Sequence, residues 1–167
     1  ILESNANLLK IDKEKIEYCF ISHDHYDHIG GLGWLSSKTK IFYPGEYHNE
    51  IENISTIILG SSIGLIEQSL VIQKENKKVL LVGCSHPGIE RIAREAFNLV
   101  GKMDLVVGGF HLFSESDESV KSTAKRLKEL TEKIAPCHCT GDEAEEIFRD
   151  VFQENYVENF AGNIIEV

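Results

Sequence analysis

The stretch Ser22-His23-Asp24-His25-Tyr26-Asp27-His28 packs three histidines and two aspartates into seven residues. Ahead of it, Ile16-Glu17-Tyr18-Cys19-Phe20-Ile21 reads as a short buried strand. Behind it, Ile29-Gly30-Gly31-Leu32-Gly33 lets the backbone turn tightly. A strand therefore ends and releases ligand-type side chains into a loop, which is where α/β folds place their chemistry. Imidazole and carboxylate are the usual nitrogen and oxygen ligands of zinc and similar ions. His23 and His25 are two residues apart, so in extended backbone both face the same way and can grip one ion. Asp27 and His28 are adjacent, and a turn can direct both to a second ion about 3.5–4 Å from the first. The competing reading is a surface histidine cluster. The Gly-Gly-Leu that follows, in place of a polar run, and the histidines at later strand ends argue against it.

Those later strand ends supply the remaining candidates. Val79–Val82 is an apolar strand that stops at Gly83, with His86 just beyond as a third ligand for the first ion. Cys84 reads as a small buried side chain in preference to a thiolate ligand. Glu67 reads as a surface residue rather than a substitute ligand. His111 follows the strand Val106-Val107 and Gly108-Gly109-Phe110. It is a candidate to bind an oxyanion or shuttle a proton, with a structural loop histidine as the alternative. Cys137-His138-Cys139 lacks the second cysteine pair that a separate structural zinc site uses. In extended backbone Cys137 and Cys139 would point away from His138 and pack. Asp24 is a candidate to support a ligand histidine from outside. Trp34, Tyr26, Phe110 and Phe113 either line a pocket for a flat ring or belong to the core. His48 is assigned no role.

His23-x-His25-x-Asp27-His28 resembles the HxHxDH signature of the metallo-β-lactamase fold superfamily. Three further motifs, Gly83-Cys84-Ser85-His86-Pro87-Gly88, Gly108-Gly109-Phe110-His111-Leu112 and Pro136-Cys137-His138-Cys139-Thr140-Gly141, resemble the branch of 7,8-dihydropterin-6-methyl-4-(β-D-ribofuranosyl)aminobenzene-5′-phosphate synthase-like proteins. The resemblance implies an αββα sandwich in the α/β (α+β) class. It gives His23 and His25 to the first metal and Asp27 and His28 to the second, with His138 as the last ligand of the second metal. Many relatives bridge the two metals with an Asp where this chain has Cys84. The expected cofactors are two divalent ions, zinc first, with iron or manganese also compatible.

The expected function is a metal-dependent hydrolase that uses a metal-bound hydroxide on an ester or phosphoester. Asp27 would bind metal and orient the nucleophile, and His111 would be the second catalytic residue. The alternatives are a pterin-related transferase, carried by the branch resemblance, and an inactive metal-binding remnant. The expected substrate is a small molecule, anionic or pterin-like.

Composition narrows the class. The chain has 167 residues, 42% hydrophobic and 26% charged, as expected for one globular domain over residues 1–167. Its net charge of −10 argues against a broad nucleic-acid-binding face. An anionic substrate stays compatible, because bound cations reverse the local potential. No apolar run reaches membrane-spanning length. The four cysteines form no evident disulfide framework, which suits a reducing cytoplasm. Superfamily members usually have strands ahead of the HxHxDH strand, so the sandwich is expected to lack some N-terminal strands. The open edge that leaves would suit a homo-oligomer.

The remaining elements follow from periodicity. Leu2–Lys10, Ile89–Val100, Glu118–Leu130 and Asp142–Phe152 read as helices. In the second of these Ile89, Ile92, Ala93, Ala96, Phe97 and Val100 should face inward. Strands are expected at Ile41–Tyr43, Ile54–Leu59, Ser69–Gln73, Lys78–Val82, Met103–Val107 and Ile134–His138, and at Val157–Phe160 and Asn163–Val167 to close the chain.

Overall fold

The computed structural model describes residues 1–48 and 50–167. Its second half alternates strand and helix, as the sequence pattern requires. Strand β3 (Ile54–Gly60) pairs antiparallel with β4 (Ile66–Lys74), and β4 pairs antiparallel with β5 (Lys77–Val82) across a two-residue turn. From there the connections become crossovers. Helix α3 (Ile89–Val100) leads to β6 (Met103–Gly109), and α4 (Asp117–Leu130) leads to β7 (Thr131–Cys137). Both new strands pair parallel, giving one five-stranded sheet in the order β3-β4-β5-β6-β7. Helix α5 (Asp142–Phe152) follows.

Helices α3, α4 and α5 close one apolar core against this sheet. Ile89, Ile92, Ala93 and Ala96 form the buried stripe of α3, and Val120, Ala124, Leu127 and Leu130 that of α4. They meet Val71, Leu80, Val106 and Ile134 of the sheet and Phe148 and Phe152 of α5. Helix ends are fixed locally. Ser116 Oγ accepts from the Ser119 amide at the start of α4, and Gly101, in a left-handed conformation, ends α3. Asp142, Glu143 and Glu145 place negative charge in the first turn of α5, where the helix dipole favours it.

The first half is built differently. Helix α1 (Leu2–Leu8) buries only Ala6. Two short strands, β1 (Tyr18–Phe20) and β2 (Lys40–Phe42), pair parallel to each other. Phe20, Phe42 and Tyr47 pack mutually with ring centroids 5.0–5.1 Å apart, making a second small aromatic core. Buried Gln68 of β4 joins the two sheets. Its Nε2 donates to the carbonyls of Ile21 and Phe42, and its backbone N–H donates to Ser22 O. The start of the His23–His28 loop is thereby pinned to the large sheet. The carboxyl ends of β5, β6 and β7 share one edge of that sheet because the three strands are parallel. Each releases one candidate histidine.

Several expectations need correction. The first strand is shorter than Ile16–Ile21 and only half-buried. Phe97 is 38% exposed, because the buried stripe of α3 ends at Ala96. The stretches Val157–Phe160 and Asn163–Val167 are not strands. Only Tyr156 bridges Ile134, and the Val157 amide reaches Ile134 O. Beyond that the Asn159 side chain takes Ala135 O, and Asn163 N–H folds back to Phe160 O, so the β7 edge is satisfied without a ladder. Phe110 is a core residue, 1% exposed and edge-on to Phe148, so it lines no pocket.

Candidate metal centre

His23 lies three residues beyond the end of β1, and His25, in extended backbone, caps the four-residue helix α2 (Tyr26–Ile29). His23 Nε2 lies 3.1 Å from His25 Nδ1. The His86 ring closes on both, with centroids 4.7 Å from His23 and 4.8 Å from His25. Nitrogens of these three rings converge within 4.8 Å of one another. Helix α2 turns Asp27 and His28 to the other side. There Asp27 Oδ2 is 3.5 Å from His28 Nε2 and 3.5 Å from His138 Nε2, and the two imidazole nitrogens are 3.3 Å apart. The structure thus brings His23, His25 and His86 into one triad and Asp27, His28 and His138 into a second.

The spacing has a physical meaning. Two nitrogens on one tetrahedral zinc at about 2.05 Å lie about 3.3 Å apart. The observed 3.1 and 3.3 Å separations match that geometry. Neutral imidazole nitrogens aimed at a common point repel through their lone pairs unless a cation or proton stands between them. The donor set fits divalent ions of the zinc type.

The ring orientations are set from behind. Ser22 Oγ stands 3.1 Å from Nδ1 of both His23 and His28, which leaves their Nε2 atoms for the cluster. This is the part expected of Asp24, which is exposed. Behind His86 stands Glu67, and here the reading as a surface residue is wrong. Glu67 is 1% exposed. Its Oε1 accepts from the amides of Cys84 and Ser85 at 2.9 and 2.8 Å. Its Oε2 accepts from the His86 amide and stands 2.9 Å from His86 Nδ1. One buried carboxylate therefore holds the loop after β5 and fixes the ring that closes the first triad. Gly83 makes the approach possible. A Cβ there would collide with the Ser22 side chain and come within 3.1 Å of Glu67 Oε1.

Electrostatics follow the geometry. Burial, with neighbouring His28, holds His23 down to about 4 despite the opposing charge of Glu67. It is neutral at pH 7 and free to ligate. Burial likewise lowers His28. Burial pushes the Glu67 carboxyl up, but the hydrogen bonds from Ser85, His86 and Cys84 outweigh it and keep Glu67 ionised. Desolvation also opposes ionisation of Asp27, yet its own backbone N–H and the nearby histidines hold it below the ordinary carboxylate range.

Sulfur enters the cluster as well. Cys84 Sγ is 3.1 Å from His28 Nε2 and 3.2 Å from His138 Nε2. Cys139 does not point away from His138 as extended backbone would require. His138 is left-handed (φ 59°) and opens a single 3-10 turn, Cys139 lies on it, and its Sγ is 3.4 Å from Cys84 O. Hydrogen bonding to Cys84 draws Cys139 down to about 5 against its burial, and bonds from His111 add to this. Cys84 is raised by that same bond and by burial, so the proton of the pair stays on Cys84.

His111 is exposed and left-handed (φ 54°), its ring 4.5 Å from that of His86 and edge-on to exposed Phe113 at 5.3 Å. It borders the first triad without joining it. Tyr26 is 85% exposed beside His25. Sequence reasoning missed Glu67, Ser22 and Cys139. The available signal for Glu67 was Glu67-Gln68-Ser69 at the start of an otherwise apolar strand, a polar run that must be satisfied if buried.

The sheet order and the parallel strand ends are those of the metallo-β-lactamase fold, which the chain shares with solved structures. The family profile described as metallo-beta-lactamase superfamily matches residues 2–52. Across 97% of its length the chain is 28% identical to the 7,8-dihydropterin-6-methyl-4-(beta-D-ribofuranosyl)-aminobenzene-5'-phosphate synthase of Methanocaldococcus jannaschii, and it covers 79% of that protein. Among solved structures it resembles Tm1679, described as a metal-dependent hydrolase of the beta-lactamase superfamily. The TM-score is 0.80 at 29% identity, over 99% of this chain and 84% of that one. YhfI from Bacillus subtilis shares the fold, with a TM-score of 0.63 at 14% identity over 95% of this chain and 82% of that one. Among the described residues no helix is long and apolar enough to cross a membrane.

Proposed function

We propose that this chain is a metal-dependent hydrolase that holds two divalent ions, zinc by preference, and cleaves an ester or phosphoester in a small-molecule substrate. The observation that carries this reading is the pair of triads side by side at strand ends, His23/His25/His86 and Asp27/His28/His138. Ions of this kind lower the pKa of a bound water toward neutrality and polarise a carbonyl or phosphoryl oxygen. The chain's own residues do the rest. Glu67 keeps His86, and Ser22 keeps His23 and His28, in fixed tautomers, so little reorganisation is needed as charge develops. Asp27 stays ionised beside His28 and His138 and orients the attacking group. His111, open to solvent and next to His86, is placed to bind an oxyanion or pass a proton to the leaving group. The exposed rings of Tyr26 and Phe113 flank the centre and suit a substrate with a flat or apolar portion.

A second reading is favoured by the 28% identity over almost the whole chain to the pterin-related synthase. In it the same residues hold the ions, and a condensation replaces hydrolysis. Substrate class changes freely on one fold, so the residues of the centre fit either reaction. The deciding experiment counts metal per chain and then offers the protein both a panel of phosphoesters, esters and thioesters and the two pterin-pathway substrates. Ester cleavage without condensation supports the hydrolase. Condensation product supports the synthase. Full activity and full metal content in His25→Ala would remove both.

A further inference from the structure

Cys84 has contacts that packing alone does not require. It is 5% exposed, yet it is not part of the apolar cluster of the core. Its sulfur faces ring nitrogens, 3.1 Å from His28 Nε2 and 3.2 Å from His138 Nε2. It also converges with His23 of the first triad and His28 of the second within 4.8 Å. The same sulfur thus lies beside one ring of the first triad and two of the second. Its backbone amide is held by the Glu67 carboxylate, which fixes the position of the residue between the two triads.

Cys139 supplies a second sulfur on the same side. Its Sγ, Cys84 Sγ and a ring nitrogen of His138 also lie within 4.8 Å of one another. Gly109 leaves the space. A Cβ at that position would stand 2.8 Å from Cys139 Sγ and 3.2 Å from His138 Cδ2. A sulfur and a nitrogen on one tetrahedral zinc, at about 2.3 and 2.05 Å, are about 3.5 Å apart, so the Cys84 contacts are within a few tenths of an ångström of ligation geometry.

We propose that the centre is ligated by sulfur as well as by nitrogen and oxygen: Cys84 Sγ bridges the two triads and Cys139 Sγ joins Asp27, His28 and His138 around the second ion. This rests on the two-ion reading above. Both sulfurs bind as thiolates, and the proton held by Cys84 goes to solvent as the ion binds. The consequence is selectivity. Thiolates favour soft or borderline ions, so the second position takes zinc or cadmium in preference to manganese or magnesium, which an all-oxygen bridge would tolerate better.

The test uses the full chain, reduced and stripped of metal, then loaded with Co²⁺. Bound cobalt is counted by mass spectrometry and the near-ultraviolet thiolate-to-cobalt charge-transfer band is recorded. The expected result is two cobalt ions with a strong band that falls in Cys84→Ser and in Cys139→Ser and is unchanged in Cys137→Ser. Cys84→Asp should keep two ions and lower the cadmium-over-manganese affinity ratio by about 10-fold. A variant-free measurement guards against misfolding: zinc should protect Cys84 and Cys139, but not Cys137, from alkylation. Two bound cobalt ions without a charge-transfer band would overturn sulfur ligation and leave the two-ion reading standing. A band untouched by Cys139→Ser, with Cys139 unprotected by zinc, would overturn the proposal as it concerns the second ion. No cobalt bound to the wild-type chain would remove both readings.

Discussion

The two halves of the centre are built to different standards. In the first triad His23 is 0% exposed and the His86 side chain, with Glu67 buried behind it, 7%, while His25 is exposed. Its His23 and His86 rings are held from behind by a hydroxyl and a buried carboxylate. In the second triad the side chains of Asp27 and His138 are 59% and 42% exposed, and only His28, at 16%, is well covered. The first half is a preorganised socket whose polar groups are satisfied by the fold. The second half is an open rim, held by a short helix and a strained turn. Preorganisation lowers what must be rearranged on binding, so the first position should hold its ion tightly and the second should exchange.

The largest expected effect comes from removing the support of the first half. Glu67→Ala strands three amides and an imidazole in a buried site. It should cost about 3–5 kcal/mol of stability, the range for stripping one partner from a buried charged network. It should also weaken first-site metal binding by about 10–100-fold, the usual effect of losing such a support. Thermal melts with metal titration check both, and Glu67→Gln should recover part of the stability. His25→Ala should lower bound metal from two ions toward one and abolish turnover, read by native mass spectrometry beside an activity assay. Asp27→Ala sharpens the comparison from the other side. It should empty the second position while leaving apo-protein stability within about 0.5 kcal/mol, because the residue is exposed. If Asp27→Ala and Glu67→Ala destabilised the fold equally, the contrast between socket and rim would be wrong.

Gly83→Ala should destabilise by about 1–3 kcal/mol, since the new methyl meets Ser22 and Glu67 in a packed region. Acid should act on the same half. His23 is held down to about 4 from an ordinary value of 6.5, so between those values the unfolded chain binds a proton that the native chain does not. Stability of the metal-free protein then rises with pH across that window and is lost as pH falls from 6.5 toward 4. Depression of the Glu67 carboxyl extends the loss in the same direction below its ordinary 4.5. Denaturant melts of chelator-treated protein between pH 4 and 7 should show this slope, and His23→Gln should flatten its upper part. The smallest effect belongs to Cys137. Burial, with Glu145 beside it, raises its thiol to about 11, so it should be the slowest thiol of its motif to alkylate, and Cys137→Ser should leave metal content unchanged.

How far the chain could be read in advance follows the same division. His23, His25, Asp27 and His28 lie within six residues, so local backbone periodicity is enough to pair them. Helices α3, α4 and α5 carry strong apolar stripes, and their ranges are legible to within a residue. Glu67 was misread because its partners, Cys84 to His86, lie 17–19 positions away and meet it only through the β4–β5 pairing. Cys139 was misread because extended backbone was assumed where His138 takes a positive φ. The closing segment was taken for strands because Val157 and the Ile164-Ile165 pair look apolar, although side chains of Asn159 and Asn163 use the local carbonyls instead.

The sequence by itself determined the ligand chemistry, the βα alternation and the placement of histidines at strand ends. These depend on residue type, short spacing and period, which are local properties. Only the tertiary structure decided that the ligands divide into a triad with two sheltered rings and a more exposed triad, and that a buried glutamate orients His86 of the first. It alone placed two sulfurs beside the second. Those facts arise where the parallel ends of β5, β6 and β7 meet the loop after β1. Which side chains converge at a meeting of distant segments depends on sheet order and register, which no single stretch of the chain encodes.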